Sequence, residues 1–578
     1  MPGPLADPLG FGGPDWIELF VAVLLAGCLL LWRPYIEPLA RRIGRHPAWC
    51  AALLAALALA LRLTLLPNHP VPTPGVYDEF GHLLVADTLL HGGLANPVHP
   101  MHRFFETIFV LQRPTYSSIY PLGMGMLLAI GRLLTGLAWS GVLLAMAAFC
   151  GLCYWMLRGW VSPDWALAGA ALALARFGPL NDWTNCYWGG HLPALAGCLV
   201  FGALPRLTAR PRARDAILLG LGLGIHLLTR PFETIFLLAA VVFFLSPRAF
   251  DPALRRPLAL AAVATLPAVA LTLLQNHGVT GSWTKLPYAE SRAQYGVPTT
   301  FSFEPIPVPG RALTVSQAGI YRMQSAAHGP MDSPARFLER LAYRVRFLRF
   351  FLSPPLYLAL LAFPLLRNEH RWRAVLLTLA LFFLGGNLYP FFFPHYAGAL
   401  AGILILAAIA ALARIHRLGP AGAFASRALL LLALLPFAFW YPVHLFDSNP
   451  GLRALESFDT WDGINHFGDN PRAVVAASVA HLPGRPLIFV QYAPNHSFQN
   501  EWIWNAADID SARVVWALDL GPAEDEALRR YYPNRTAWLF SPDADPTRIA
   551  PYRAPSPTAP APPAPPKPAH GLTLEQVH

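Results

Sequence analysis

Residues 75–93 read GVYDEFGHLLVADTLLHGG and set Asp78 beside Glu79, a few positions after a long apolar run. Adjacent carboxylates repel each other and are costly to bury unpaired. As a residue type they accept and orient protons, so such a pair at the mouth of an apolar bundle has the makings of an acid–base site. A local explanation competes. Asp78 as the N-cap of a helix over 79–91, Glu79 favouring the helix dipole, and Asp78–His82 or Asp87–His91 as i,i+4 pairs would account for the same residues. The breaker PTPG precedes this helix. Phe80, Leu83, Leu84 and Leu90 give it an apolar side expected to lie along a membrane surface.

The elements that hold this stretch are membrane spans. The chain has 578 residues, 55% of them hydrophobic and 13% charged, against about 25% charged in soluble domains. Candidate spans lie near 16–33, 47–66, 139–157, 165–180, 191–205, 215–229, 233–247, 257–274, 347–366, 374–393, 396–413 and 428–446. A further apolar stretch at 120–137 opens on YPLGMG and reads as a re-entrant or interfacial helix. The fold class expected is mostly α: a polytopic bundle of about 12–13 transmembrane helices with a small C-terminal extramembrane α/β domain.

The net charge of +10 comes with arginines gathered in short loops. Arg41, Arg42 and Arg45 follow the first run, Arg206, Arg210, Arg212 and Arg214 the fifth, and Arg248, Arg255 and Arg256 the seventh. Arg367, Arg371 and Arg373 follow the ninth, and Arg414, Arg417 and Arg427 the eleventh. This positive-inside pattern makes those loops cytoplasmic and disfavours a nucleic-acid partner. It puts the termini and loops 67–138, 181–191 and 275–346 on the outer face. The six cysteines lie mainly in apolar segments, with Cys186 in a loop, and form no disulfide or zinc spacing. No basic stretch precedes the first apolar run, so no cleaved leader is expected.

The expected domains are 1–46, an extra N-terminal helix with a basic cytoplasmic loop; 47–446, the transmembrane unit; 447–553, the α/β domain; and 554–578, a Pro/Ala-rich disordered tail. In the third, 486–492, 512–518 and 536–540 read as strands and 523–532 as a helix that starts acidic and ends basic.

A polytopic chain with an acidic pair in its first outer loop resembles the GT-C glycosyltransferases, in particular the protein O-mannosyltransferase and aminoarabinose-transferase branch. RFFETIFVLQRPTYSSIYPLGMG (103–125), YWGG (187–190), PHYAG (394–398) and EWIWNAADID (501–510) resemble uncharacterised bacterial members of that group over roughly residues 47–550. The resemblance implies transfer, with inversion, of a sugar from a polyprenyl-phosphate donor to a glycan, lipid or protein acceptor at the outer face of a bacterial inner membrane. It implies Asp78 as the base that deprotonates the acceptor hydroxyl, and inversion with one base fits a carboxylate whose pKa a dry cleft has raised. Glu79 would orient Asp78 or the acceptor, and Glu106 is a second acid or orienting group.

The leaving lipid phosphate needs a cation. Arg113, then Lys285, Arg230 and His395, are ranked for it, each against snorkelling or helix capping. Asp182 is the second outer-loop acid, and His395-Tyr396 loosely matches a basic–aromatic pair of the aminoarabinose branch. Tyr116, Tyr120, Trp183 and Trp188 could stack on sugar or polyprenyl, against interfacial anchoring. No cofactor or metal is expected, although Asp78, Asp182 and Glu106 are the acids that could ligate a divalent ion. The competing functions are a lipid-linked-glycan transporter or flippase and a non-catalytic envelope assembly protein. Outer-surface acids and unmatched halves argue against the transporter, whose ionisable groups sit at mid-membrane; His226 reads as a core residue.

Overall fold

The computed structural model describes residues 46–446 and 471–552, with scattered positions between 19 and 42 and at 464. The expected first span 16–33, most of the 1–46 unit and the tail 554–578 lie outside the described residues.

The bundle is built from α1 (Pro47–Thr64), α2 (Tyr77–Leu90), α3 (Leu122–Thr135), α4 (Trp139–Leu157), α5 (Pro163–Phe177), α6 (His191–Ala209), α7 (Ala213–Thr229), α8 (Pro231–Leu245) and α9 (Pro252–Thr280). It continues with α10 (Pro287–Tyr295), α11 (Val315–His328), α12 (Pro334–Arg344), α13 (Leu348–Phe351), α14 (Pro355–Leu360), α15 (His370–Gly386), α16 (Ala401–His416) and α17 (Pro420–Phe446). Among the described residues, 7 helices are long and apolar enough to cross a membrane, or up to 8 if a bent pair counts as one. The chain is therefore a multi-pass membrane protein. The expected spans at 165–180, 215–229 and 374–393 are the shorter helices α5, α7 and α15.

The expected single span 347–366 is instead a broken one. Pro334–Phe351 and Pro355–Leu366 meet at 111°, because Pro354-Pro355 remove two N–H donors and cannot continue the helix. The stretch 120–137 forms the 14-residue α3, about 21 Å long at 1.5 Å per residue. That is short of a hydrocarbon core of about 30 Å. Close packing uses glycine: a Cβ at Gly151 of α4 would stand 2.8 Å from the Ala51 carbonyl of α1.

The C-terminal α/β unit follows the expected order. It contains α18 (Pro471–Ala480), β3 (Pro486–Val490), β4 (Val515–Leu518), α19 (Pro522–Tyr531), β5 (Thr536–Phe540) and β6 (Ile549–Pro551). A small hairpin, β1 (Val110–Leu111) with β2 (Ser117–Ser118), precedes them in the chain. The sheet order is β4-β3-β5-β6, with β3 parallel to both β4 and β5 and β6 antiparallel. The segments α18 and β6 were not anticipated from sequence.

Two expectations for α2 change. The helix begins at Tyr77 with Val76 at its N-cap, so Asp78 lies inside the first turn and is no cap. Its apolar residues face protein rather than a membrane surface. Phe80 stacks on Trp504 with ring centroids 4.8 Å apart, and Leu84 is buried with Phe104, Phe105, Leu487 and Phe489 under the sheet. Leu83, Leu89 and Leu90 pack on the bundle core. The expected Asp87–His91 pair is absent. Asp87 takes Arg132 Nη1 at 2.8 Å and the Ala507 N–H at 2.7 Å, so it ties α2 to α3 and to the C-terminal unit. The imidazole of His91 hydrogen-bonds the Asp87 carbonyl, at 2.8 Å.

Candidate active site

Asp78 is half-buried in the first turn of α2. Burial pushes its carboxyl up to about 7; the Tyr120 hydrogen bond and the Arg230 charge oppose this, while Glu79 adds to it. Tyr120 donates its hydroxyl to Asp78 Oδ1, and no other side chain among the described residues hydrogen-bonds this carboxylate. The Tyr120 ring reaches Asp78 by lying across Gly81, where a Cβ would stand 2.6 Å from two of its ring carbons. The Gln275 amide holds the Tyr120 carbonyl at 2.8 Å. Tyr120 thus orients the acid, a role distinct from the expected stacking on substrate.

Glu79 has a different task. It is 1% exposed and accepts three backbone N–H groups, from Gly75 at 2.6 Å, Val76 at 3.1 Å and Tyr187 at 2.8 Å. It ties the start of α2 to the YWGG segment and keeps its neighbour in place. Asp182 lies close enough for Glu79 to act on it; burial first, then the Glu79 charge, lifts Asp182 to about 7.

The cation at this site is Arg230, the residue between α7 and α8. Its guanidinium carbon lies 4.6 Å from the centroid of the Tyr396 ring. Among the described residues no carboxylate pairs with it. Its charge holds the Asp78 carboxyl down and, after burial, adds to the drop of His82 to about 3. His82 is therefore neutral. It lies 4.4 Å from the Tyr120 ring, and its Nδ1 is buried without a partner.

Two clefts flank the Arg230–Tyr396 pair. One, of about 340 Å³, is lined by His82, Tyr120, Trp188, Thr229, Arg230 and Tyr288 among others. The second, of about 330 Å³, is lined mainly by rings: Phe232, Phe382, Tyr389, Phe392 and Tyr396, with Glu233. His395 is buried, with its ring 4.6 Å from Trp188 and 4.8 Å from Tyr396.

The remaining candidates lie elsewhere. Glu106 is 3% exposed, paired with Arg311 Nη2 at 2.7 Å and bonded by the Tyr295 hydroxyl at 3.1 Å and Gln317 Nε2 at 3.2 Å. It braces the 275–346 loop. Arg113 is exposed; its carbonyl takes the Gln294 amide at 2.8 Å, and its charge bears on His102. Lys285 pairs with Glu290. Tyr116 is buried and donates to the Asn505 carbonyl at 3.1 Å, and Trp183 is a core ring stacked on Phe177. Among the described residues no group of three or more His, Cys, Asp or Glu is arranged to hold a metal ion.

Sequence reading ranked Arg113 above Arg230 because nearness along the chain stood in for nearness in space. It gave no site role to His82, Tyr288 or Tyr389. The available signal was polar or aromatic residues at outer helix ends in KLPYAE and NLYPFFF.

No protein family matches the chain, and no curated protein matches it. Among solved structures, ArnT from Cupriavidus metallidurans bound to undecaprenyl phosphate is similar at 14% identity and TM-score 0.47, over 85% of this chain and 93% of that one. The apo form of the same protein has 14% identity and TM-score 0.46 over the same shares. The oligosaccharyltransferase of Archaeoglobus fulgidus, in complex with zinc and sulfate, has 15% identity and TM-score 0.43, over 85% of this chain and 67% of that one. Identities and scores of this size give no residue a role.

Proposed function

We propose that this chain is a membrane glycosyltransferase that moves a sugar from a polyprenyl-phosphate donor to a hydroxyl acceptor, with inversion at the sugar carbon. The observation that carries the reading is Asp78: a carboxyl held near neutral pH, fixed by one tyrosine hydroxyl, beside an arginine that forms no ion pair with a carboxylate among the described residues.

In the proposed reaction the Asp78 carboxylate takes the acceptor hydroxyl proton as that oxygen bonds to the anomeric carbon. The bond from that carbon to the phosphate oxygen breaks, and the electron pair leaves with the lipid phosphate. Arg230 meets the charge that grows on the phosphate, in a site where a preset cation acts more strongly than in water. The ring-lined cleft beyond Arg230 suits the first isoprene units of the lipid. Glu79 holds the start of α2, and Asp182 lies on the acceptor side. The orientation proposed is the arginine loops inside and the site and α/β unit outside, in a bacterial inner membrane; the acceptor is an envelope glycan, lipid or protein.

The test is transfer by the purified full chain, with a labelled polyprenyl-phosphate sugar and an envelope extract as acceptor. Transfer by the wild type and none by Asp78→Asn supports the reading. Equal transfer by both sinks it. A cysteine placed at Ser282 should react with an impermeant thiol reagent in cells with a permeabilised outer membrane, and protection there would overturn the orientation.

A further inference from the structure

The reading above leaves the sugar open, and the cleft beside Tyr120 narrows it. The cleft gathers His82, Trp188, Arg230 and Tyr288 around one space next to the Tyr120 ring that orients Asp78. Several of its polar atoms are donors. Arg230 offers a guanidinium, Tyr288 a hydroxyl and Trp188 an indole N–H, and Trp188 Nε1 is buried without a partner. His82 Nδ1 is buried unpartnered on the same lining, and its residue is 8% exposed. Buried polar atoms without partners are costly, so two of them in one cleft point to a ligand that completes them.

Among the described residues no carboxylate lines this cleft. Asp78 gives Oδ1 to Tyr120, and Glu79 is held by backbone N–H groups. Asp182 is not on the lining either. The one formal charge there is positive.

We infer that this cleft, between α2, α3, α6 and α7, receives the transferred sugar when that sugar is neutral or anionic, and disfavours a cationic amino sugar. This deepens the proposed glycosyl transfer and rests on it. A sugar hydroxyl or carboxylate accepts from guanidinium and indole donors. An ammonium group offers no acceptor, would stand against Arg230, and finds no acid on the lining to pair with.

The experiment is donor binding to the full chain in detergent by calorimetry, with four lipids of equal length. They are polyprenyl phosphate alone and the same lipid carrying glucose, galacturonic acid or 4-amino-4-deoxyarabinose. Binding of the glucose or galacturonic acid lipid at least fivefold tighter than the bare lipid, and at least tenfold tighter than the amino-sugar lipid, is the expected result. Amino-sugar binding as tight as the other two overturns the inference. Binding of all sugar lipids equal to that of polyprenyl phosphate also overturns it, while leaving the lipid-phosphate reading in place. No binding by any of the four overturns the functional reading itself. Trp188→Phe keeps a ring and removes the N–H. It should weaken the preferred sugar lipid about fivefold and leave the bare lipid unchanged; no change with either places the sugar elsewhere.

Discussion

Asp78 and Glu106 belong to the same segment, after α1 and before α3, and are both removed from bulk water, yet their surroundings differ. Glu106 has a guanidinium at 2.7 Å, a tyrosine hydroxyl and an amide. Both hydrogen-bond donors go to Oε2 and the guanidinium faces Oε1, so the charge is neutralised from within the fold. Asp78 has one hydroxyl on one oxygen, and its cation, Arg230, is offset from it over a tyrosine ring. A satisfied buried acid holds structure together. An under-satisfied one stores the capacity to take a proton. Two carboxylates that look alike in sequence are separated by how completely their neighbours neutralise them.

The largest effect expected is at Asp78. Asp78→Asn should lower transfer by at least about 100-fold, the low end of general-base contributions, with donor affinity kept. The same variant should be more stable than the wild type at alkaline pH. The folded-state pKa of Asp78, about 7, lies above the ordinary aspartate value of 3.8, so the folded form binds more protons between those values. Its contribution to stability therefore falls as pH rises from about 4 to about 7. The melting temperature of Asp78→Asn minus that of wild type should be near zero below pH 4 and reach its maximum above pH 7. A flat difference across that range would make Asp78 an ordinary surface acid.

Arg230→Ala should weaken polyprenyl-phosphate binding at least tenfold, measured by calorimetry, because a cation in a part-dry site loses its anion partner. Tyr120→Phe keeps the ring on Gly81 and removes the hydroxyl. Transfer should fall about tenfold, the scale of one hydrogen bond to a charged group, and the acid limb of the rate should move to higher pH, since that bond favours the ionised acid. An unmoved limb would reduce Tyr120 to packing.

Glu106→Ala should reverse the pattern. It leaves Arg311 without its carboxylate and should lower stability by about 1–3 kcal/mol, the range for a part-exposed partner, read by thermal melting in detergent. Transfer per folded molecule should change less than twofold. The smallest effect is expected at Arg113: Arg113→Ala should leave donor affinity within twofold, because its side chain is exposed and away from Asp78. A tenfold loss there would return the phosphate to the outer loop and break the comparison.

Much of the architecture was legible because hydrophobic runs and β-branched strands are local signals. Trp139–Leu157 is found where expected, and so are β5 and, within about three residues, β3, β4 and α19. What failed was anything that depended on long-range neighbours. The 111° break was written in SPP (353–355), but its effect required knowing that Arg176, from a distant helix, takes the freed Phe350 and Leu352 carbonyls. The apolar side of α2 was legible, whereas the sheet that covers it comes from residues about 400 positions later along the chain.

By itself the sequence determined that the chain is an apolar helical bundle with a small α/β unit, and that an acidic pair opens a helix outside the first long span. Those properties follow from composition and period, which each segment carries alone. Tertiary structure decided which acid is free and which is tied. It placed Arg230 rather than Arg113 beside Asp78, and brought Gln317 to Glu106 from 211 positions away. The physical reason is that a carboxylate's proton affinity depends on water, charges and donors within a few ångströms, and the fold chooses those neighbours from distant parts of the chain.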